Sequence, residues 1–141
     1  MYNGCLLKLN KHQLIPNGLP PTIVSWEDVI EDTGGFFNPA LPKRLTIPAG
    51  VSRVRIICSC VWLINYVGCR QMLPKKNGWF LYGLPVMNYM ANNVTTTDMT
   101  NSSYPIPVVE GDYFEYEVFQ SSGAPLYLAM SPGTWFGLEG V

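Results

Sequence analysis

Histidine, cysteine and clustered carboxylates are the side chains best suited to chemistry, and this sequence offers few arrangements of them that would work. A serine or cysteine hydrolase needs a base oriented toward its nucleophile, and His12 is the chain's one histidine. It lies in the polar run Asn10-Lys11-His12-Gln13, which predicts an exposed or hydrogen-bonded imidazole rather than a catalytic base. Neither a Gly-x-Ser-x-Gly elbow nor a phosphate-cradling glycine loop occurs. Cys58 and Cys60 stand two apart on an apparent strand, where Cα atoms separate by roughly 6.6 Å and bridging geometry is poor. They are expected to be thiols. Together with Cys5 and Cys69 they lack the paired Cys-x-x-Cys spacing of a structural zinc site, so no metal centre is expected. Glu27, Asp28, Glu31 and Asp32 are the one acidic cluster. Their oxygens suit calcium, but the spacing is not that of an EF-hand. A solvated acidic turn is preferred, with calcium as the alternative. No catalytic residues or cofactors are assigned, and a small glycan-active enzyme using a carboxylate pair stands as an alternative without a cleft to support it.

Composition points toward assembly. Of 141 residues, 48% are hydrophobic and 13% charged, about half the roughly 25% charge of ordinary soluble domains. Such a chain has little charge to spread over its surface, so part of that surface should be covered by other subunits. Nine Lys and Arg against ten Asp and Glu give a net charge of −1, which disfavours nucleic-acid binding. The basic pairs Lys43-Arg44 and Lys75-Lys76, and Arg53 with Arg55, are read as ordinary surface charge. Residues 1–10 lack the features of a secretory signal, and no later segment approaches a membrane span. The expectation is synthesis in a cytoplasm without a signal peptide and no insertion into a membrane.

The elements that would position any site are strands. Over residues 53–64, Val54, Ile56, Cys58, Cys60, Trp62 and Ile64 recur with a period of two. The other face mixes Arg53, Arg55 and Ser59 with Ile57, Val61 and Leu63, and should be only partly wet. Leu45 and Ile47 precede Pro48-Ala49-Gly50, which predicts strand, tight turn, strand. Gly111-Asp112 opens residues 113–120, with Phe114, Tyr116 and Val118 facing a core and Glu115 and Glu117 facing solvent. Ser121-Ser122-Gly123 then supplies turn chemistry before residues 126–130, predicting a hairpin. Further strands are expected over residues 6–15, 22–26, 68–73, 79–84 and 134–141, while residues 26–32 alone suggest a short helix. Residues 88–107, rich in Asn, Thr and Ser, predict a long loop carrying at most one strand. The fold expected is an all-β antiparallel sandwich of jelly-roll type, one domain over residues 1–141, with residues 1–24 as an N-terminal arm or edge strand.

Several landmarks then fall in order. The run Val29-Ile30-Glu31-Asp32-Thr33-Gly34-Gly35-Phe36-Phe37, followed by Arg44-Leu45-Thr46-Ile47-Pro48-Ala49-Gly50-Val51 and a strand, is one. Lys76-Asn77-Gly78, Gly111-Asp112-Tyr113 and the ending Trp135-Phe136-Gly137-Leu138 are the others. Together they resemble the trimeric jelly-roll family typified by complement C-one-q globular heads and tumour necrosis factor. The stretch of residues 45–55 is most similar to such domains on tailed-bacteriophage virions. The resemblance implies a homotrimer without enzymatic activity, located on a virion as a fibre tip or head decoration. Its implied partners are other virion proteins and a host cell-surface glycan or protein; a soluble lectin or cytokine-like ligand is the alternative.

Within that frame, the polar loop is the expected receptor contact through Asn92, Asn93, Thr95, Thr96, Thr97 and Tyr104, whose amides and hydroxyls suit hydrogen bonding. Trp62, Tyr66, Tyr116, Trp135 and Phe136 are expected in the core or the trimer interface, because aromatic side chains bury large areas. Trp79, Phe80, Tyr82 and Tyr89 share that reading over sugar stacking.

Overall fold

The computed structural model describes residues 3–81, 87–91 and 95–141. Among these, regular structure is entirely strand, in two antiparallel sheets. The larger sheet contains β1 (Gly4–Lys8), β2 (Gln13–Ile15), β4 (Asp28–Asp32), β6 (Arg53–Trp62), β10 (Thr97–Ser102), β11 (Ile106–Pro107), β13 (Leu126–Leu128) and β14 (Trp135–Gly140). The smaller contains β3 (Thr22–Ile23), β5 (Leu45–Thr46), β7 (Cys69–Lys76), β8 (Trp79–Phe80), β9 (Met87–Met90) and β12 (Tyr113–Gln120).

Strand β6 is the spine. Ser59 pairs with Trp135 on one side and Thr100 on the other, so β14 and β10 occupy its two edges. Its alternation sorts as expected as far as Trp62: Val54, Ile56, Cys58, Cys60 and Trp62 are buried, while Arg53 is exposed and Arg55, Ile57 and Val61 are half-buried; Ile64, expected on the buried face, lies past the strand's end and is exposed. Opposite them, Phe114, Tyr116 and Val118 of β12 and Met72 of β7 complete the core. Trp26, Tyr116 and Phe136 join the layers, with ring centroids 5.7–6.0 Å apart. Within residues 1–24, β1 lies between β14 and β4, β2 lies at the edge beside β13, and β3 pairs with β12.

Four expectations about local structure change. The β12 and β13 strands do not form a hairpin: β12 pairs with β7, and β13 with β2 and β6 in the other sheet. A turn rich in Ser and Gly reverses a chain equally well within a sheet or between sheets. Here Gln120 holds the crossing, donating through Nε2 to the carbonyls of Ile15 and Ala124 and accepting from Ser122 N–H. The expected strand, tight turn and strand at β5 and β6 are present, with the chain changing sheets at Gly50, whose φ is +83°. Residues 26–32 carry the strand β4, bulged against β1 at Leu6/Leu7, instead of a helix. Residues 88–107 contain β10, β11 and most of β9 where at most one strand was expected. Pairing to β6 outweighs polar composition there, because the ladder asks only for backbone groups. Finally, Glu115 and Glu117 are buried, not solvent-facing, beneath Arg44 and Lys75.

Candidate functional site

The chemically capable residues have structural occupations. His12 Nδ1 accepts from Met130 N–H at 2.8 Å, and its ring lies 5.9 Å from that of Tyr127. The imidazole thus links the β1–β2 turn to the end of β13. Cys5, Cys58, Cys60 and Cys69 are thiols, not disulfides. Burial pushes the Cys5 and Cys60 thiols up to about 12 and raises Cys58 further, which withholds the nucleophilic thiolate at neutral pH.

The acidic cluster disperses. Asp28 pairs with Lys8 and Glu27 with Lys11, each at 3.5 Å. Asp32 accepts from the N–H groups of Gly34, Gly35 and Phe36 on Oδ1 and of Phe37 on Oδ2. Its carboxylate therefore shapes the Thr33-Gly34-Gly35-Phe36-Phe37 landmark.

Two other landmarks form one cluster. Asn77 and Gly78 have φ of 51° and 80°, the left-handed pair that a tight hairpin between β7 and β8 requires. Asn77 Nδ2 donates to Asp112 Oδ1 at 2.8 Å, and Asn77 Oδ1 accepts from Tyr113 N–H. Lys76 Nζ lies 2.8 Å from Asp112 Oδ2, which also accepts from Val109 N–H. Hydrogen bonds from Lys76 and then Asn77 hold the Asp112 carboxyl down at about 2. A depressed carboxyl pKa stabilises the fold above the unfolded value near 3.8 and loses that contribution as pH falls toward 2. Asp112→Asn should therefore cost about 1–2 kcal/mol at pH 7 and almost nothing near pH 2. Urea unfolding at the two pH values checks this; an equal deficit at both would refute the charge-assisted account.

The aromatics separate into core and surface. Trp62, Tyr116 and Phe136 are fully buried. Tyr66 is exposed on the β6–β7 loop, and Trp135 is half-buried on the outer face of the larger sheet. Trp26, also fully buried, belongs with the core group; its period-two relation to buried Val24 was the available signal. Of the expected receptor contacts, Asn92 and Asn93 lie outside the described residues, as does Tyr82. Thr95 and Tyr104 are exposed and Thr96 half-buried, its hydroxyl donating to Asp98. Thr97 is buried in β10 opposite Trp62, where a receptor has no access to it.

The outer face of the larger sheet gathers the outward residues of β6 and its neighbours. Leu6 and Ile57 flank Gly137, where an added Cβ would lie 3.1 and 3.2 Å from their side chains. Trp135 stands across from Ser59, and Val61 borders Gly133. Past the end of β6 the alternation stops: Leu63 N–H donates to the Tyr127 carbonyl and its side chain packs against the core. This apolar column contrasts with the neighbouring β10, whose outward Asp98 and Thr100 are polar. A mostly apolar cleft of about 570 Å³ opens at the sheet's β4 side, between Leu9, Ile30, Met130 and Pro132 above the Lys8–Asp28 pair.

Neither any family profile nor any curated protein matches this sequence. Solved structures do. The crystal structure of murine APRIL at pH 8.5 superposes with a TM-score of 0.69 at 12% identity, covering 99% of this chain and 100% of that one. Murine APRIL at pH 5.0 gives 0.61 at 13% identity over 93% and 100%. The Eiger TNF structure from S. frugiperda gives 0.60 at 10% identity over 99% and 92%. At such identities the shared property is the path of the chain through two facing sheets, and the protein has the tumour-necrosis-factor-like jelly-roll fold.

Proposed function

We propose that this chain is a non-enzymatic binding module that assembles as a homotrimer through the outer face of its larger sheet. The observation that carries the reading is the apolar column of Leu6, Ile57, Val61 and Trp135, centred on β6 and laid on a rigid antiparallel ladder. A preformed apolar surface of this kind stabilises association because few side chains need ordering when it is covered. Gly133 and Gly137 leave room for the side chains of Val61 and of Leu6 and Ile57, which close over them into one continuous surface. The trimeric organisation of the C-one-q and tumour necrosis factor families supports the stoichiometry.

Sedimentation equilibrium tests the assembly. The native chain should sediment as a trimer, and Ile57→Asp combined with Val61→Asp should shift it to monomer by placing two charges in a desolvated contact. A native chain that is monomeric at micromolar concentration would overturn the reading.

The module's place is proposed to be a bacteriophage virion, as a fibre tip or head decoration attached to other virion proteins and to a host glycan or protein. The likeness of residues 45–55 to phage-borne domains supports this location. Thr95, Thr96 and Tyr104, with Asn92 and Asn93, are the proposed receptor contacts. A second reading, a soluble cytokine-like ligand, is supported by the fold shared with murine APRIL and Eiger TNF. Peptide mass spectrometry of purified particles separates the two locations.

A further inference from the structure

Lys75 on β7 and Glu117 on β12 form the most enclosed of the ion pairs among the described residues. Nζ lies 2.9 Å from Oε1, and the two side chains are only 17% and 8% exposed. Their surroundings are largely apolar. Glu117 stands in register with buried Leu73 on one side and half-buried Ile23 on the other, while the ring of Phe80, opposite Lys75 on β8, lies 4.9 Å from Nζ. The next carboxylate along β12, that of Glu115, is engaged by Arg44.

Glu117 Oε2 is buried and has no hydrogen-bond partner among the described residues, so half of this carboxylate is desolvated without compensation. Asp112, beside the next lysine, is the contrast. Lys76 Nζ approaches it as closely, at 2.8 Å, but its oxygens also accept from Asn77 and Val109, which holds the carboxylate as an anion. Glu117 lacks that support. Passing one proton from Nζ to the Glu117 carboxylate replaces two desolvated charges by a neutral amine and a carboxylic acid already in contact, which are a nucleophile and an electrophile. The register of β7 and β12 keeps them together, supplying an effective concentration that the same groups lack in solution. Exclusion of water removes the hydration that otherwise favours the separate ions.

We propose that Lys75 and Glu117 join spontaneously in an amide bond that ties β7 to β12. The Nζ lone pair attacks Cδ to form the N–C bond, and a proton moves from nitrogen to a carboxyl oxygen. One C–O bond then breaks. The departing water takes one oxygen from Glu117 and two hydrogens from Nζ, the opposite charges cancel, and no oxidant or further reactant enters. The product links residues forty-two apart in the chain and joins the two middle strands of the smaller sheet, so a pull on the module cannot peel one from the other. This cross-link lies in the smaller sheet and is independent of the trimer contact, which uses the larger one.

Mass spectrometry of the full chain, folded first and then denatured, tests it. The native chain should be lighter than its sequence by one water. Trypsin cuts after lysine and arginine, and neither follows Lys76 in the sequence. Residues 71–76 and 77–141 should therefore emerge as one branched peptide, uncut after Lys75. Lys75→Arg keeps the charge but replaces the amine by a guanidinium that stays protonated, so this variant should have its full mass. Lys76→Arg, which alters only the pair with Asp112, should still lose the water. A native chain that keeps its full mass after days in the folded state would overturn the proposal. So would a water loss that maps to other residues or persists in Lys75→Arg.

Discussion

Replacing Arg70 with alanine should lower folding stability by about 3–5 kcal/mol, read from urea unfolding at neutral pH. The guanidinium is fully buried and desolvation lowers its pKa, but none of the ion pairs among the described residues involves it. Its compensation comes from carbonyl dipoles: Nη1 donates to Val67 and Cys69 at 2.9 and 3.0 Å, and Nη2 to Asn65 at 3.0 Å. Its carbon is 5.9 Å from the Trp62 ring centre. Alanine would strand these carbonyls and open a void beside Trp62, two of the mechanisms behind large mutational losses. Arg70→Met keeps much of the volume and removes the desolvated charge, so it should recover part of the loss. A loss below about 1 kcal/mol in the alanine variant would show that the guanidinium does not hold the β6–β7 loop. The neighbouring Gly68 supports the same geometry, since its φ is +74° and a Cβ there would collide with the Ser121 carbonyl.

Phe136→Ala is expected to cost a comparable amount, about 3–5 kcal/mol, by thermal or urea unfolding. Its ring lies 5.7 Å from Trp26 and 5.8 Å from Tyr116, so its loss removes one side of the contact between layers. The site has little freedom to collapse, because β14 is paired to β1 on one edge and to β6 on the other. Phe136→Leu should recover more than half of the deficit by refilling volume. Combining Phe136→Ala with Tyr116→Ala should cost less than the sum of the single changes, since both remove the same ring contact. Additive losses would mean that the rings pack independently and that the aromatic triangle is not a unit.

The strands that were legible before folding are those with one covered face. Val54 to Trp62 on β6 and Phe114 to Val118 on β12 alternate because a pleated backbone sends successive side chains to opposite sides, a property of the chain alone. The turns at Asn77-Gly78 and Gly111 were legible for a similar reason: their backbone torsions limit which residues can stand there. The ordered landmarks even pointed to the fold type. The candidate surfaces were harder to read. Trp62, Tyr66, Tyr116, Trp135 and Phe136 look alike as aromatic residues in a sequence, yet three are buried, one is half-buried and one projects from a pole.

Local alternation and turn chemistry thus determined that this is an all-strand chain with a greasy interior. Partner choice was decided only in three dimensions. Residues 113–120 and 126–128 lie in different sheets because their pairing energy comes from distant strands, β7 in one case and β2 and β6 in the other. Glu117 is buried because Lys75, forty-two residues earlier, reaches across to it at 2.9 Å. Thr97 disappears into β10 because Trp62 stands opposite. Each of these outcomes depends on a ladder between segments far apart in the chain, and no periodicity within either segment encodes which segment will be its neighbour.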